Sequence, residues 1–326
     1  MSGVPPVADV ISLPIGRYRA WFVADAPVGF SEFPGSAWRG AFGHALKGAA
    51  CATQAPRCET CLLYRSCAYP YLFETPPPPD AAKMRRYSAV PHPYVFDPLP
   101  HAVGAAACAL EFSLFGAANR HLALVVYALG RAGAGELGVA GNHLRFDRLE
   151  RETGLGSGEW RDIALPDGLA AVGMPPPPEI PGALGAVEIA IETPMRLKRE
   201  GKHVGPGMFA FADLFGNLLR RISMLTYFHT ETPLETDFRG LSDDARRVRA
   251  ESALEWREQR RYSNRQRQAM RLGGVWGRMW IEGEDLTPFW PYLWLGQWTH
   301  AGTGATMGLG RYRLHAGAER GAVDLL

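Results

Sequence analysis

Hydrophobic and polar positions along the chain fall into two successive rounds of the same order. In the first, Tyr18 to Ala24 is an aromatic and β-branched run stopped by Pro27 and Gly29, which predicts a strand. A helix follows Pro34-Gly35, with Ser36 as its N-cap, and runs to about Ala50. Pro93 to Phe96 is a short strand. In Ala107 to Phe115 the alternation of Cys108, Leu110, Phe112 and Leu114 marks one buried strand face. A helix from about Ala118 to Arg131 carries Leu122, Val125 and Leu129 on one side, and His143 to Leu149 is the last strand.

The second round repeats this. Val187, Ile189 and Ile191 alternate in a strand that stops at Pro194, and Phe211, Leu214, Phe215, Leu218, Ile222 and Leu225 form a helical stripe. Leu254 to Arg260 and Val275 to Ile281 pair as neighbouring strands. Thr287-Pro288 opens a helix to about Trp298, with Trp290, Trp294 and Trp298 as a packed face, and Arg311 to His315 closes the round. The expected class is α+β: two tandem ferredoxin-like (RRM-like) βαββαβ domains. Four consecutive prolines, Pro175 to Pro178, place the boundary. The expected division is 1–173, a Pro-rich linker at 174–184, and 185–326.

Composition narrows the class. The 326 residues are 47% hydrophobic and 21% charged, enough for a buried core and against whole-chain disorder. No run approaches the ~18 apolar residues of a membrane span, and the first residues lack the basic and apolar regions of a signal peptide. A cytoplasmic location with no membrane partner is expected. Four of the five cysteines fall in Cys51-x6-Cys58-x2-Cys61-x5-Cys67, a metal-knuckle spacing within an insertion at 51–67. A structural Zn²⁺ on Cys51, Cys58, Cys61 and Cys67 is the expectation, with a four-iron, four-sulfur cluster as the alternative. Cys108 belongs to the core.

The net charge of +2 announces nothing, but its distribution does. Between Arg239 and Arg278 stand eleven Arg against five acids, and Arg260-Arg261-Tyr262-Ser263-Asn264-Arg265-Gln266-Arg267 mixes guanidinium, aromatic and amide groups. That set tracks a phosphate backbone and stacks on bases. Near the C-terminus, His300-Ala301-Gly302-Thr303-Gly304-Ala305-Thr306-Met307-Gly308-Leu309-Gly310 joins a helix to a strand. It offers backbone N–H groups to phosphate oxygens. It is neither a P-loop nor a dinucleotide fingerprint.

In the first helix Trp38, Phe42, Ala45, Leu46 and Ala49 fall on one face, while His44 and Lys47 share the opposite face with Gly40 and Gly43. Two interior glycines imply that something approaches this surface closely. His44 is the candidate general base or acid and Lys47 the cation for the developing charge. His229 and His300 are the runners-up.

Several of these motifs together resemble a known family. They are Arg261-Tyr262-Ser263-x-Arg265-Gln266, Met270-x-Leu272-Gly273-Gly274, His300-x-Gly302-x-Gly304 and Gly308-Leu309-Gly310-Arg311-Tyr312. Trp38-Arg39-Gly40-Ala41-Phe42-Gly43-His44-Ala45-Leu46 and Thr193-Pro194-Met195-Arg196-Leu197-Lys198 add to them. The chain resembles the CRISPR-associated repeat-processing endoribonucleases, the Cas-six group of the repeat-associated (RAMP) superfamily. Thr303 is a departure, since many relatives carry Lys there. The resemblance implies an endoribonuclease of antiviral defence that grips CRISPR repeat RNA, usually a stem-loop, and makes one metal-independent cut in the precursor crRNA. The 2′-hydroxyl attacks, leaving a 2′,3′-cyclic phosphate and a 5′-hydroxyl. It also implies RNA contacts at Arg39, Arg196, Lys198, Arg199, Arg220, Arg221, Arg260, Arg261, Tyr262, Arg265, Arg267, Gly302, Gly304, Gly308, Gly310 and Arg311. The alternative is a non-catalytic crRNA-binding subunit among other CRISPR effector subunits.

Overall fold

The computed structural model describes residues 11–30, 33–83, 90–102, 104–137, 141–165, 168–169, 172–258, 260–263 and 268–317. The first unit runs β1 (Ile15–Val23), α1 (Gly35–Ala50), β2 (Tyr94–Pro98), β3 (Ala107–Phe115), α2 (Leu122–Ala134) and β4 (Arg145–Glu152), with β5 (Trp160–Asp162) at its edge. A short ribbon of β6 (Ala164–Leu165) and β7 (Gly168–Leu169) follows. The second unit opens with β8 (Ala186–Met195) and a ribbon of β9 (Lys198–Arg199) and β10 (Lys202–His203). It continues with α3 (Phe211–His229), α4 (Phe238–Ala245), β11 (Glu251–Arg257), the ribbon β12 (Arg260–Ser263) and β13 (Gln268–Arg271), β14 (Gly274–Glu282), α5 (Trp290–Thr299) and β15 (Tyr312–Ala316).

The two antiparallel sheets have the orders β2-β3-β1-β4-β5 and β11-β14-β8-β15. In both, the first strand of the unit lies between the third and the fourth, and the second lies outside the third. This is the βαββαβ arrangement that the alternation of the sequence implies.

Register explains the first core. Tyr18 pairs with Phe112, Ala20 with Leu110 and Phe22 with Cys108, so all six point to one face. That face is covered by Trp38, Phe42 and Leu46 of α1 and by Leu122, Val125 and Leu129 of α2. The rings of Phe22 and Trp38 stand 4.8 Å apart, and those of Phe42 and Phe96 4.9 Å. The other face of β3 is buried too, under charge: Glu111 pairs with Arg17 and Arg19, and Arg19 lies 3.9 Å over the Trp160 ring. Alternation alone showed only one of these buried faces.

The second core gathers Ile189, Ile191, Leu218, Ile222, Met279, Trp294 and Trp298. Ile11, Leu13, Ile15, Val95 and Phe115 of the first unit join it, so apolar packing runs unbroken from one unit to the other.

Three local expectations change. Pro34, not Ser36, precedes the helix, and Ser36 lies inside its first turn without capping it. Ala49 is exposed rather than core. β8 continues through Pro194, because the strand bulges there: Met195 pairs with Val275 and Ile191 with Gly277. A proline without an N–H is tolerated at such a bulge. Among the described residues no helix is long and apolar enough to cross a membrane.

Candidate nucleic-acid interface

α1 presents two different surfaces. Trp38, Phe42 and Leu46 are sunk in the core. His44 is exposed, and Lys47 is half-buried with its ammonium 5.7 Å from the centre of the Tyr69 ring. The two interior glycines differ. A Cβ at Gly40 would meet nothing within 4 Å, whereas one at Gly43 would run into the Phe73 ring. Gly43 is therefore a close-packing glycine under the turn at Pro70–Glu74, whereas Gly40, like Gly48 further along, lies on open helix surface. The start of α1 is pressed against the glycine loop, since a Cβ at Gly35 would meet the Met307 carbonyl. From Gly35 to His44 the helix rises about 14 Å, so His44 lies well along the helix from the loop.

The cysteine-bearing segment follows α1 as a series of tight turns. Cys51, Cys58, Cys61 and Cys67 line one cavity together with Tyr64 and Tyr69. Four thiols are a donor set suited to Zn²⁺. Among the described residues, however, no three His, Cys, Asp or Glu side chains converge closely enough to hold an ion. Burial and the neighbouring Glu74 carboxylate push the Cys58 thiol up to about 11. The expected metal knuckle is thus a shared cavity, with side chains that would have to turn inward to bind.

The glycine loop is built for conformation first. Gly302, Gly304, Gly308 and Gly310 all have positive φ, between 71° and 88°. A Cβ at Gly310 would collide with the Ala301 carbonyl, and one at Gly302 would stand 2.6 Å from the Arg196 carbonyl oxygen. Most of its N–H groups are spent inside the protein: Gly302 on Asn217 Oδ1, Thr303 on the Arg196 carbonyl, Gly310 on Pro194 and Arg311 on Thr193 Oγ1. The expected phosphate cradle is corrected in this respect, because those donors are already taken. The loop's visible work is to join the units. Gly308 stands against Phe96 of β2, and Arg311 reaches Asp97 at 2.5 Å and Glu192 at 2.8 Å.

The remaining expected RNA contacts divide by availability. Lys198 and Arg220 are exposed. Arg196 donates to His203 Nε2 at 3.2 Å and adjoins the glycine loop through its carbonyl. Arg199 is engaged by Asp213 and by the Met208 carbonyl. Arg260, Arg261 and Tyr262 sit on β12, and Arg265 and Arg267 lie outside the described residues. Arg311 is held by its two carboxylates.

Both runner-up histidines are interior. His229 is 4% exposed, donates Nε2–H to the Pro91 carbonyl at 2.8 Å, and is held by burial at about 4. His300 is 2% exposed, and burial with three nearby Arg charges holds it well below its usual value. Neither presents a nitrogen to solvent. One imidazole escaped the sequence reading: His92, whose Nδ1 lies 2.6 Å from Thr75 Oγ1 and whose Nε2 faces Arg39 Nη2 at 3.4 Å. Its only sequence signal was its place between Pro91 and Pro93.

Comparison with known proteins agrees with this architecture. The family model described as CRISPR-associated endoribonuclease Cas6 matches residues 189–312, from β8 into β15. The similarity to the Cas6 family thus lies in the second domain. A further model, described as an N-terminal domain, matches residues 13–169. Among solved structures, a Cas6 (TTHB231) product complex is similar over 92% of this chain and 98% of its own, at 14% identity and a TM-score of 0.53. A partial Cas6-RT-Cas1–Cas2 complex is similar over 98% of this chain and 49% of its own, at 11% identity and a TM-score of 0.56. At such identities the likeness is one of fold. No curated protein matches the sequence. The Cas6 model ends on Tyr312, so it takes in the glycine loop and the joint at Arg311.

Proposed function

We propose that this chain is a Cas6-type protein that binds CRISPR repeat RNA and cuts it once without a metal. The observation that carries the reading is the match of the Cas6 model to the second domain, glycine loop included. RNA is held by the exposed cations around that loop, Lys198 and Arg220 among them, and by the β12–β13 ribbon. His44 is the leading group for proton transfer, because it is exposed on the α1 surface beside the open position of Gly40. In the cut, the 2′-hydroxyl loses its proton to a base and bonds to phosphorus. The P–O5′ bond breaks, the 5′-oxygen takes a proton, and a 2′,3′-cyclic phosphate remains. Lys47 stabilises the charge on the phosphorane.

Cleavage of the cognate repeat RNA in excess EDTA, wild type against His44→Ala, tests this. The expected result is cutting by the wild type to a cyclic-phosphate end, with a loss of about 10²–10⁴ in the variant and binding retained. Equal cutting by both proteins removes His44 from the mechanism. A non-cutting crRNA-binding subunit is the second reading, favoured by the interior position of His229 and His300; binding without cutting by the wild type would establish it. The cavity shared by the four cysteines supports a second proposal, a structural Zn²⁺ that draws the thiols inward. Metal analysis of protein purified without added metal should find about one zinc per chain. Visible absorbance with bound iron would assign an iron–sulfur cluster instead, and neither metal would end the proposal.

A further inference from the structure

Where α1, β2 and α3 meet, the protein buries positive charge, and no carboxylate among the described residues pairs with it. Arg221 on α3 gives its Nε–H to the Thr299 carbonyl at 2.7 Å, the open C-terminal end of α5, while its Nη2 is buried with no partner. Among the described residues no carboxylate lies within ion-pair distance of it. Burial lowers its pKa to about 10. An uncompensated guanidinium in such a place is strongly unfavourable. Arg39, from α1, comes to the same place. It lies over the Phe73 ring at 4.5 Å, and among the described residues it too has no carboxylate within ion-pair distance.

The groups around them are arranged as donors. Thr75 donates its hydroxyl to the Val90 carbonyl at 3.1 Å, so it accepts from His92 Nδ1–H. That fixes the tautomer and leaves Nε2 to accept from the Arg39 Nη2–H at 3.4 Å. Burial, then the charges of Arg39 and Arg221, hold His92 neutral at about 3. The Tyr94 hydroxyl is buried beside Arg39 with no aligned partner. Arg221 Nη2 and the Tyr94 hydroxyl therefore lack an acceptor, and neither Arg221 nor Arg39 has a carboxylate partner among the described residues. The complement is an anion with several acceptor oxygens.

We propose that this seam is a phosphate-binding site, in which Arg221 Nη2, the Tyr94 hydroxyl and the remaining N–H groups of Arg39 donate to the phosphoryl oxygens while His92 Nε2 holds Arg39 in place. A phosphodiester of bound RNA and free hydrogen phosphate share that chemistry. Only the RNA source rests on the reading above.

The test uses the full chain. Inorganic phosphate is titrated against chloride at constant ionic strength, with heat of binding and melting midpoint as readouts. The wild type should bind phosphate saturably and melt higher with it. Arg39→Gln and Tyr94→Phe should each weaken phosphate about tenfold or more. Arg221→Met should abolish the phosphate-dependent rise while melting no lower than wild type in chloride, because an unpaired buried charge has been removed. No saturable binding by the wild type, or unchanged binding in Arg39→Gln and Tyr94→Phe, would overturn the proposal. Competition by repeat RNA assigns the site to the RNA backbone, and independent binding assigns it to free phosphate. Should the chain bind no RNA at all, the functional reading fails while the phosphate titration still decides the site.

Discussion

Gly40 and Gly43 show how residues identical in sequence part company in the fold. Gly43 is closed by Phe73, and Gly40 faces open space. Gly40→Ala should therefore raise stability by about 0.5–1 kcal/mol, the helix preference for alanine. If RNA lies against this face, repeat cleavage falls while the melting point rises. A rise in both would move the RNA off α1. The histidines make a related point. A lone imidazole on a helix or at a loop mouth reads the same in sequence whether it meets water or the next domain. His44 kept its surface position, whereas His229 and His300 were enclosed by segments 138 residues away (Pro91) and by the glycine loop. His92 could not be found from sequence, because its chemistry depends on Thr75 and Arg39, which only the packed seam brings to it.

At the scale of elements, strands and helices were legible because each needs only local alternation. The glycine loop was legible as a conformation and misleading as a donor surface. Its N–H groups are claimed by Asn217 of α3 and by Thr193, Pro194 and Arg196 at the end of β8, residues from two other segments. Gly310→Ala tests the conformational role. With φ of 71° and the Ala301 carbonyl in the way, it should cost about 2–4 kcal/mol in denaturant unfolding. A cost below about 0.5 kcal/mol would return the loop to a purely ligand-binding role. The second buried face of β3 was illegible for a similar reason. Glu111 and Ser113 look solvent-facing until Arg17, Arg19 and Trp160 close over them.

Across the whole molecule, the joint between the units carries an acid-sensitive set of bases. His92 and His229 titrate at about 3 and about 4 in the folded chain, below the unfolded value near 6.5. As pH falls below about 6.5, the unfolded chain gains these protons and the folded chain does not. Stability therefore falls, by up to about 1.4 kcal/mol per pH unit for each group, until the folded values are reached. Urea midpoints measured from pH 7 to pH 4.5 should drop, and less steeply in His229→Gln; parallel slopes would exclude His229 from the effect. The joint has one more consequence. Ile11, Leu13, Ile15, Val95 and Phe115 are built into the core of the other unit, so the covalent link through the prolines is not what holds the halves together. Opened between Pro178 and Glu179, the chain becomes a heterodimer. Two separately encoded fragments, 1–178 and 179–326, should find each other and co-purify, and a tag on either would report on the whole.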